Sequence, residues 1–197
     1  MMKMKKTGLI GVALIGMTVY LPAFAEEVIL SESFDSTDKF TAEKGYKCSD
    51  IAASVDKEEF QEGNGALRVK WTSGDASGSF SVSCEIKTMD ITGKVFSFMA
   101  MSPDGKVMNV GIEFYDSTGK RADEYRQYNI SGAGQWANIK FIQGKTEKGQ
   151  WRRDLKEQSG DPTKVTRITF RAQTKDANQT AELILDDFKI TSDEVKK

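Results

Sequence analysis

The chain has 197 residues, with 28 Lys and Arg against 29 Asp and Glu, and no histidine. Opposite charges are mixed along it and the net charge is −1, which argues against the basic stripe that a nucleic-acid partner favours. The missing histidine removes His-dependent triads, His-containing zinc sites and the usual side chain that titrates near neutrality.

Residues 1–25 read as a targeting signal. Lys3, Lys5 and Lys6 give a positive start, Gly8 to Leu21 is small and apolar, and Ala23-Phe24-Ala25 supplies a small-x-small cleavage pattern before Glu26. The apolar stretch falls short of the roughly 20 residues that span a bilayer, and no later segment is apolar enough, so no membrane span is expected. No cysteine stands near its end for lipid attachment. The expected location is therefore periplasmic or extracellular. Removing the signal takes away three lysines and leaves 172 residues, 25 basic against 29 acidic, for a net charge of −4. That length suits one domain with a sizeable core, expected over 26–192 and followed by a polar tail at 193–197.

The dominant period along the domain is two, the strand period. Val28, Leu30 and Phe34 share a face of a first strand with Glu32, and polar residues 35–45 read as a loop. A strand over 46–55 leads through Glu62-Gly63-Asn64-Gly65 to Ala66–Trp71, where Leu67, Val69 and Trp71 point one way. Phe80, Val82, Cys84 and Ile86 alternate with Ser79, Ser81, Ser83 and Glu85, a half-buried pattern. Val95–Met101 is nearly all apolar and reads as a central strand. After Pro103-Asp104-Gly105, Met108, Val110, Ile112 and Phe114 turn inward. Glu124–Ile130, Trp136–Ile142, Val165–Ala172 and Ala181–Ile190 complete about ten strands. Residues 143–164 are the longest stretch without a strand pattern; 147–158 lacks the apolar face a helix would need. Ten strands in one unit require two packed sheets or a barrel, and an all-β, two-sheet antiparallel sandwich is predicted.

Cys48 and Cys84 both lie in the exported part, where a disulfide is permitted and expected. Two buried free thiols are the alternative.

Four segments carry a family resemblance: Ser33-Phe34-Asp35, Glu62-Gly63-Asn64-Gly65-Ala66-Leu67-Arg68-Val69, Gln135-Trp136-Ala137-Asn138-Ile139, and Leu183-Ile184-Leu185-Asp186-Asp187-Phe188-Lys189-Ile190. In this order they resemble the jelly-roll carbohydrate-binding modules, the galactose-binding-like domains. The resemblance implies a jelly-roll topology, a polysaccharide or oligosaccharide partner, and a structural Ca²⁺ near the joined first and last strands. Parity points to the same place. Asp186 shares a strand face with Ile184, Phe188 and Ile190, and a carboxylate at a core edge needs a partner. Oxygen ligands from Asp186, with Glu32 or Asp35 across from it, would suit the hard Ca²⁺ ion. Backbone hydrogen bonds to Asp186 are the other way to satisfy it.

Sugar sites combine flat aromatic faces with planar hydrogen-bonding groups. Trp151, set among Lys148, Gln150, Arg152 and Arg153, is a candidate platform, although it could fold back onto a sheet. Trp71 has core parity, and Trp136 opens a strand and reads as structural. The second candidate surface is the outward face of the middle strands. There Asn109, Glu113 and Tyr115 alternate with the apolar residues and Gly111 leaves room above the sheet. Tyr125 and Gln127, or alternatively Arg126 and Tyr128, extend that face along the neighbouring strand.

Non-catalytic carbohydrate binding is the expected function. A structural or protein-binding role at the cell envelope is the rival, because the same fold serves both. Glycosidase chemistry would need two carboxylates about 5–5.5 Å or 6.5–9.5 Å apart. Glu113 and Glu124 are the candidates, and lyase chemistry through Tyr, Arg or Lys is a further enzyme reading.

Overall fold

Period-two patterning becomes antiparallel strand over most of the domain. The structure, a computed structural model, describes residues 27–130, 132–154, 157 and 159–192; the expected signal at 1–25 and tail at 193–197 lie outside the described residues. Twelve strands run through the described part: β1 Val28–Glu32, β2 Phe40–Lys44, β3 Cys48–Asp56, β4 Ala66–Ser73, β5 Ser79–Met89, β6 Lys94–Met101, β7 Val107–Asp116, β8 Arg121–Tyr128, β9 Ala137–Ile142, β10 Gln150–Arg152, β11 Val165–Thr174 and β12 Thr180–Ser192. They form two six-stranded sheets. The first has the order β3-β4-β12-β6-β9 with β1 also on β12, and the second the order β10-β8-β7-β11-β5-β2. All pairings are antiparallel, as a jelly-roll sandwich requires. Among the described residues no helix is long and apolar enough to cross a membrane.

Alternate residues of both sheets meet in one core. Leu67, Val69 and Trp71 of β4 and Leu183 and Leu185 of β12 face Phe80 and Val82 of β5, Val110, Ile112 and Phe114 of β7, and Ile168 and Phe170 of β11. Phe170 is the hub of the aromatic packing, meeting Phe34, Phe98 and Phe188 edge-on at 5.6, 5.5 and 5.2 Å. Trp71 packs at 4.6 Å from Phe80 and donates its Nε1–H to the Gly78 carbonyl, which agrees with its core parity.

Three stretches depart from the sequence reading. Residues 35–45 hold β2, whose Phe40 and Ala42 pack against the core while Thr41 and Glu43 face out. Its polar residues mark an edge strand with one solvated face rather than a loop. Phe34 does not continue β1. It follows the strand at φ 58°, costly for a bulky residue, and is held there by burial against Phe40 and Phe170 and by its N–H on the Glu32 carboxylate. The 143–164 stretch contains β10 and a 3₁₀ turn at Pro162–Lys164, the turn capped by the Asp161 side chain.

The expected Cys48–Cys84 disulfide is not made; both thiols are free. Cys48 opens β3 opposite Ser73, beside the turn that leads into β5. Cys84 sits in the middle of β5 between Phe40 and Ile168, five residues or roughly 17 Å along the strand from that turn. Each thiol packs against the core from its own sheet. Burial pushes the Cys84 thiol up to about 12, which keeps it protonated and inert.

β12 changes neighbours halfway along. Its first half pairs with β4 as far as Leu185, and β1 takes over the same side at Phe188. The two residues between are Asp186 and Asp187, where the register against β6 also shifts and Asp187 adopts φ 49°. Asp186 is fully buried, and its carboxylate accepts the N–H groups of Gln61 at 2.5 Å, Glu62 at 2.9 Å and Asp187 at 2.7 Å. It thereby ties the loop before β4 to the junction of three strands.

β10 is fixed by a second buried carboxylate. Asp123 of β8 receives a two-pronged pair from Arg152, Nε at 3.0 Å and Nη2 at 2.9 Å, and a hydrogen bond from the Tyr125 hydroxyl at 2.8 Å. Arg152→Ala removes the guanidinium that pairs with Asp123 in the interior, and is expected to cost about 3–5 kcal/mol. Asp186→Ala strips the acceptor from three N–H groups and should cost about 2–4 kcal/mol. Thermal denaturation checks both, with losses of roughly 5–20 °C expected for a domain of this size. A loss of only a degree or two would remove either carboxylate from the list of fold determinants.

Candidate functional site

The outward face of the second sheet forms a groove whose side chains line up in rows across the strands. One row reads Trp151 of β10, Arg126 of β8, Gly111 of β7, Arg171 of β11, Ser81 of β5 and Glu43 of β2. The next holds Glu124, Glu113, Thr169, Ser83 and Thr41, and a third holds Tyr128, Asn109, Gln173 and Ser79. A concavity of about 320 Å³ runs across this face from Trp151 of β10 to Ser79 of β5. Tyr46 from the turn between β2 and β3, Tyr128 at the end of β8 and Trp151 stand around it, and all three rings are partly open to solvent.

Glu113 and Glu124 lie directly opposite each other on β7 and β8, each only 1 % exposed. Arginines neutralise the pair. Glu113 receives Arg171 Nη1 at 2.6 Å, Arg126 Nη2 at 3.1 Å and the Tyr115 hydroxyl at 2.5 Å. Glu124 receives Arg126 Nη2, Arg153 Nε at 2.6 Å and Arg121 Nη1 at 3.0 Å. Burial pushes the Glu113 carboxyl up, but Arg171, the Tyr115 hydroxyl and Arg121 outweigh it and hold the group below the usual carboxylate range. Burial, reinforced by the Glu113 charge, raises the Tyr115 phenol. Arg167 stacks on the Tyr115 ring, its guanidinium carbon 4.2 Å from the ring centre.

Gly111 makes this arrangement fit. It sits between Arg126 and Arg171, and a Cβ there would press on the Tyr125 carbonyl and lie 2.8 Å from Arg126 Cδ. The room above the glycine, expected to serve a ligand, is taken by the Arg126 side chain. A register shift between Phe114 and Tyr115 adds a residue to β8, so that Arg121 returns to the groove face while Ala122 points to the core.

The structure sorts the sequence candidates by strand parity. Trp151, Asn109, Glu113 and Tyr115 all stand on the groove face, with Asn109 Nδ2 on Gln173 Oε1 at 3.2 Å. Tyr125 and Arg152 do not. Tyr125 is fully buried in the core, where its ring stacks on Phe141 at 5.2 Å, and Arg152 is its partner on Asp123. Gln127 shares their inward parity and lines a separate cleft with Asn138 and Gln150 at the edge between the sheets. The other parity, Arg126 and Tyr128, belongs to the groove, as does Arg153, two residues beyond the edge-strand position of Arg152's neighbour Trp151. Arg171 and Tyr46 went unnamed in the sequence reading. The alternation of Arg167, Thr169 and Arg171 against Val165, Ile168 and Phe170 carried a signal for the first, blurred by a bulge at Val165–Arg167.

The carboxylates expected to hold Ca²⁺, Asp186 with Glu32 or Asp35, each accept hydrogen bonds from the chain itself. Asp186 faces backbone N–H groups, Asp35 accepts from the Asn64 N–H and the Ser33 hydroxyl, and Glu32 accepts from the Phe34 N–H and Lys39. Among the described residues no three His, Cys, Asp or Glu side chains are grouped to hold a metal ion.

No family model matches the chain, and no curated protein matches it in sequence. Solved structures do match in fold. The family 11 carbohydrate-binding module of a cellulosomal cellulase of Clostridium thermocellum aligns with a TM-score of 0.58 at 15 % identity, covering 85 % of this chain and 94 % of that one. A family 11 module from Clostridium thermocellum solved in complex with a β-1,3-1,4-mixed-linked tetrasaccharide aligns with the same TM-score and identity. The C-terminal family 22 carbohydrate-binding module of Clostridium thermocellum Xyn10B aligns with a TM-score of 0.54 at 12 % identity, covering 86 % of this chain and 96 % of that one. At such identities the likeness is one of fold: this chain has the β-sandwich architecture found in carbohydrate-binding modules.

Proposed function

We propose that the chain binds a glycan, without cleaving it, in the groove on the outer face of the second sheet, and that it does so after export from the cytoplasm. The carrying observation is the trio of partly exposed rings, Tyr46, Tyr128 and Trp151, around one concavity floored by hydrogen-bonding side chains. A pyranose presents an apolar face to such rings and its hydroxyl groups to Asn109, Gln173 and the guanidinium groups. The fold shared with carbohydrate-binding modules supports the same reading.

The carboxylates argue for binding over hydrolysis. A glycosidase acid needs a carboxyl whose pKa is raised so that it holds a proton at neutral pH. Glu113 is moved the opposite way. Tyr115, the other candidate proton-transfer group, has its phenol raised and its hydroxyl committed to Glu113, unlike a tyrosine activated as a base.

A glycan array on the exported domain, with calcium present and after chelation, tests the proposal. Trp151→Ala and Tyr128→Ala are each expected to weaken binding about tenfold or more, equivalent to roughly 1.4 kcal/mol or above, with the melting temperature held. Silence across plant, algal, microbial and host glycans would replace the reading with a protein-binding role at the envelope.

The Glu113 network also predicts an acid limb of stability. A carboxyl whose folded pKa lies below its unfolded value of about 4.3 stabilises the fold above that value and loses the contribution as pH falls through the folded pKa. Denaturant titrations of wild type between about pH 6 and pH 3 should show stability falling with acid. Glu113→Gln should be less stable at neutral pH and should show a shallower fall. Parallel curves for the two proteins would remove Glu113 from that acid limb.

A further inference from the structure

The concavity beside Trp151 presents guanidinium groups rather than carboxylates. Arg126, Arg153 and Arg171 all line it. Glu124 also lines it but lies beneath them, with its oxygens accepting from Arg121, Arg126 and Arg153. Four guanidinium groups surround the two buried carboxylates, leaving a local surplus of two positive charges. Counting the exposed Glu157, which pairs with Arg153 Nη1 at 2.9 Å, still leaves one. The surplus is local. At the far end of the groove Arg167 and Lys39 are balanced by Glu43 and Glu85, and the whole chain has a net charge of −1.

Donor capacity points the same way. Arg126 serves both glutamates through one atom, Nη2. Arg171 gives Nη1 to Glu113 and turns Nη2 toward the Ser79 hydroxyl only at 3.4 Å. A neutral sugar would cover these charged donors with hydroxyl groups that compensate their lost hydration incompletely. A carboxylate or sulfate oxygen makes charge-assisted hydrogen bonds roughly twice as strong, and the planar guanidinium fork matches it in two contacts.

We propose that the glycan taken by this groove is acidic, a chain of uronic acids or sulfated sugars, with its anionic group seated on Arg126, Arg153 and Arg171 next to the Trp151 ring. The proposal rests on the groove reading above and deepens it by assigning the charge class. Stacking on Trp151 supplies affinity for the sugar ring, and the arginines select against its neutral counterpart. The positive floor also speeds capture of a polyanion, an effect that salt weakens.

The deciding experiment is calorimetric titration with matched oligosaccharides. An oligogalacturonide is compared with the same oligosaccharide after reduction of its carboxyl groups to neutral alcohols. A sulfated galactan oligomer, a mixed-linked β-glucan oligomer and an oligoglutamate complete the set. Binding of the oligouronide or of the sulfated oligomer is expected, and the winner separates a carboxylate from a sulfate. If the oligouronide binds, its carboxyl-reduced form should be at least about tenfold weaker. The bound acidic oligomer should also lose about tenfold or more between roughly 20 and 300 mM NaCl. Arg153→Gln should weaken its binding by a similar factor, and Trp151→Ala should weaken it too.

The reduced-ligand comparison keeps the test valid should an arginine variant misfold. Neutral oligosaccharides binding as tightly as acidic ones, without salt dependence, would overturn the charge assignment and leave the groove reading standing. Oligoglutamate binding equally well would overturn the glycan class in favour of an acidic peptide. Acidic binding untouched by both Arg153→Gln and Trp151→Ala would move the site elsewhere. No binding by any member of the set overturns the acidic class, and the groove reading is then decided by the wider glycan array.

Discussion

Two carboxylates placed directly opposite each other on neighbouring strands set the terms for the outer face of the second sheet. Like charges across a strand pair are unfavourable, and Glu113 and Glu124 are in addition almost completely shielded from water. Such a pair is tolerated only with cations in contact, so the arginines are a structural requirement before they are a binding surface. Arg126 touches both carboxylates, Arg171 holds Glu113 from β11, and Arg153 holds Glu124 from just beyond β10. The ion network therefore stitches four strands side by side and fixes the groove floor. Because it has more guanidinium than carboxylate, that floor keeps positive charge available on the solvent side.

The same economy of alternation holds the aromatic platform. β10 is only three residues long, and a strand that short has few ladder hydrogen bonds of its own. Its inward residue Arg152 enters the buried Asp123–Tyr125 pair, while its outward residue Trp151 faces the groove. One side chain anchors and its neighbour presents. Trp151 consequently stands on a sheet edge fixed from beneath, which reduces the ordering cost of stacking a ligand on it. Arg153 continues the outward parity and lies 5.9 Å from the Trp151 ring centre, so the ring and the charge form one surface.

The architecture was legible because burial in a sandwich imposes a two-residue period, and most of its longer strands carry it openly. What escaped were the elements whose sequences are governed by an edge or an irregularity. β2 has a polar outer face at the rim of its sheet, and β10 is too short to show a period. The groove face was read correctly on β7, where Asn109, Glu113 and Tyr115 alternate with core residues. On β8 the sequence left two parities open, because Asp123 and Tyr125 are polar residues facing inward and Ala122 marks an extra residue; the structure puts Arg126 and Tyr128 on the groove face. Polarity alone cannot reveal that Asp123 is buried; its partner Arg152 arrives from a strand 29 positions away. Asp186 was located at the core edge by parity, and its carboxylate accepts three backbone N–H groups, two of them from the loop at Gln61–Glu62, which the sequence pattern did not mark as a partner.

These buried carboxylates divide the molecule into a frame and a reading surface. Asp186 closes the junction of β1, β4 and β12 in the first sheet, remote from the groove residues in the strand order. Asp123 fixes the edge of the second sheet from its inner face. Glu113 and Glu124 alone turn their charge toward the ligand side, and both are enclosed by arginine. Substitutions in the first two act on the fold as a whole, whereas Trp151, Tyr128 and Tyr46 touch little that the fold requires. The outer rings thus stand apart from the ion network, while the charged floor beneath them is fixed by the needs of the sheet. On the proposed binding face, the charge thus comes from groups that the scaffold requires and the rings from side chains that it does not.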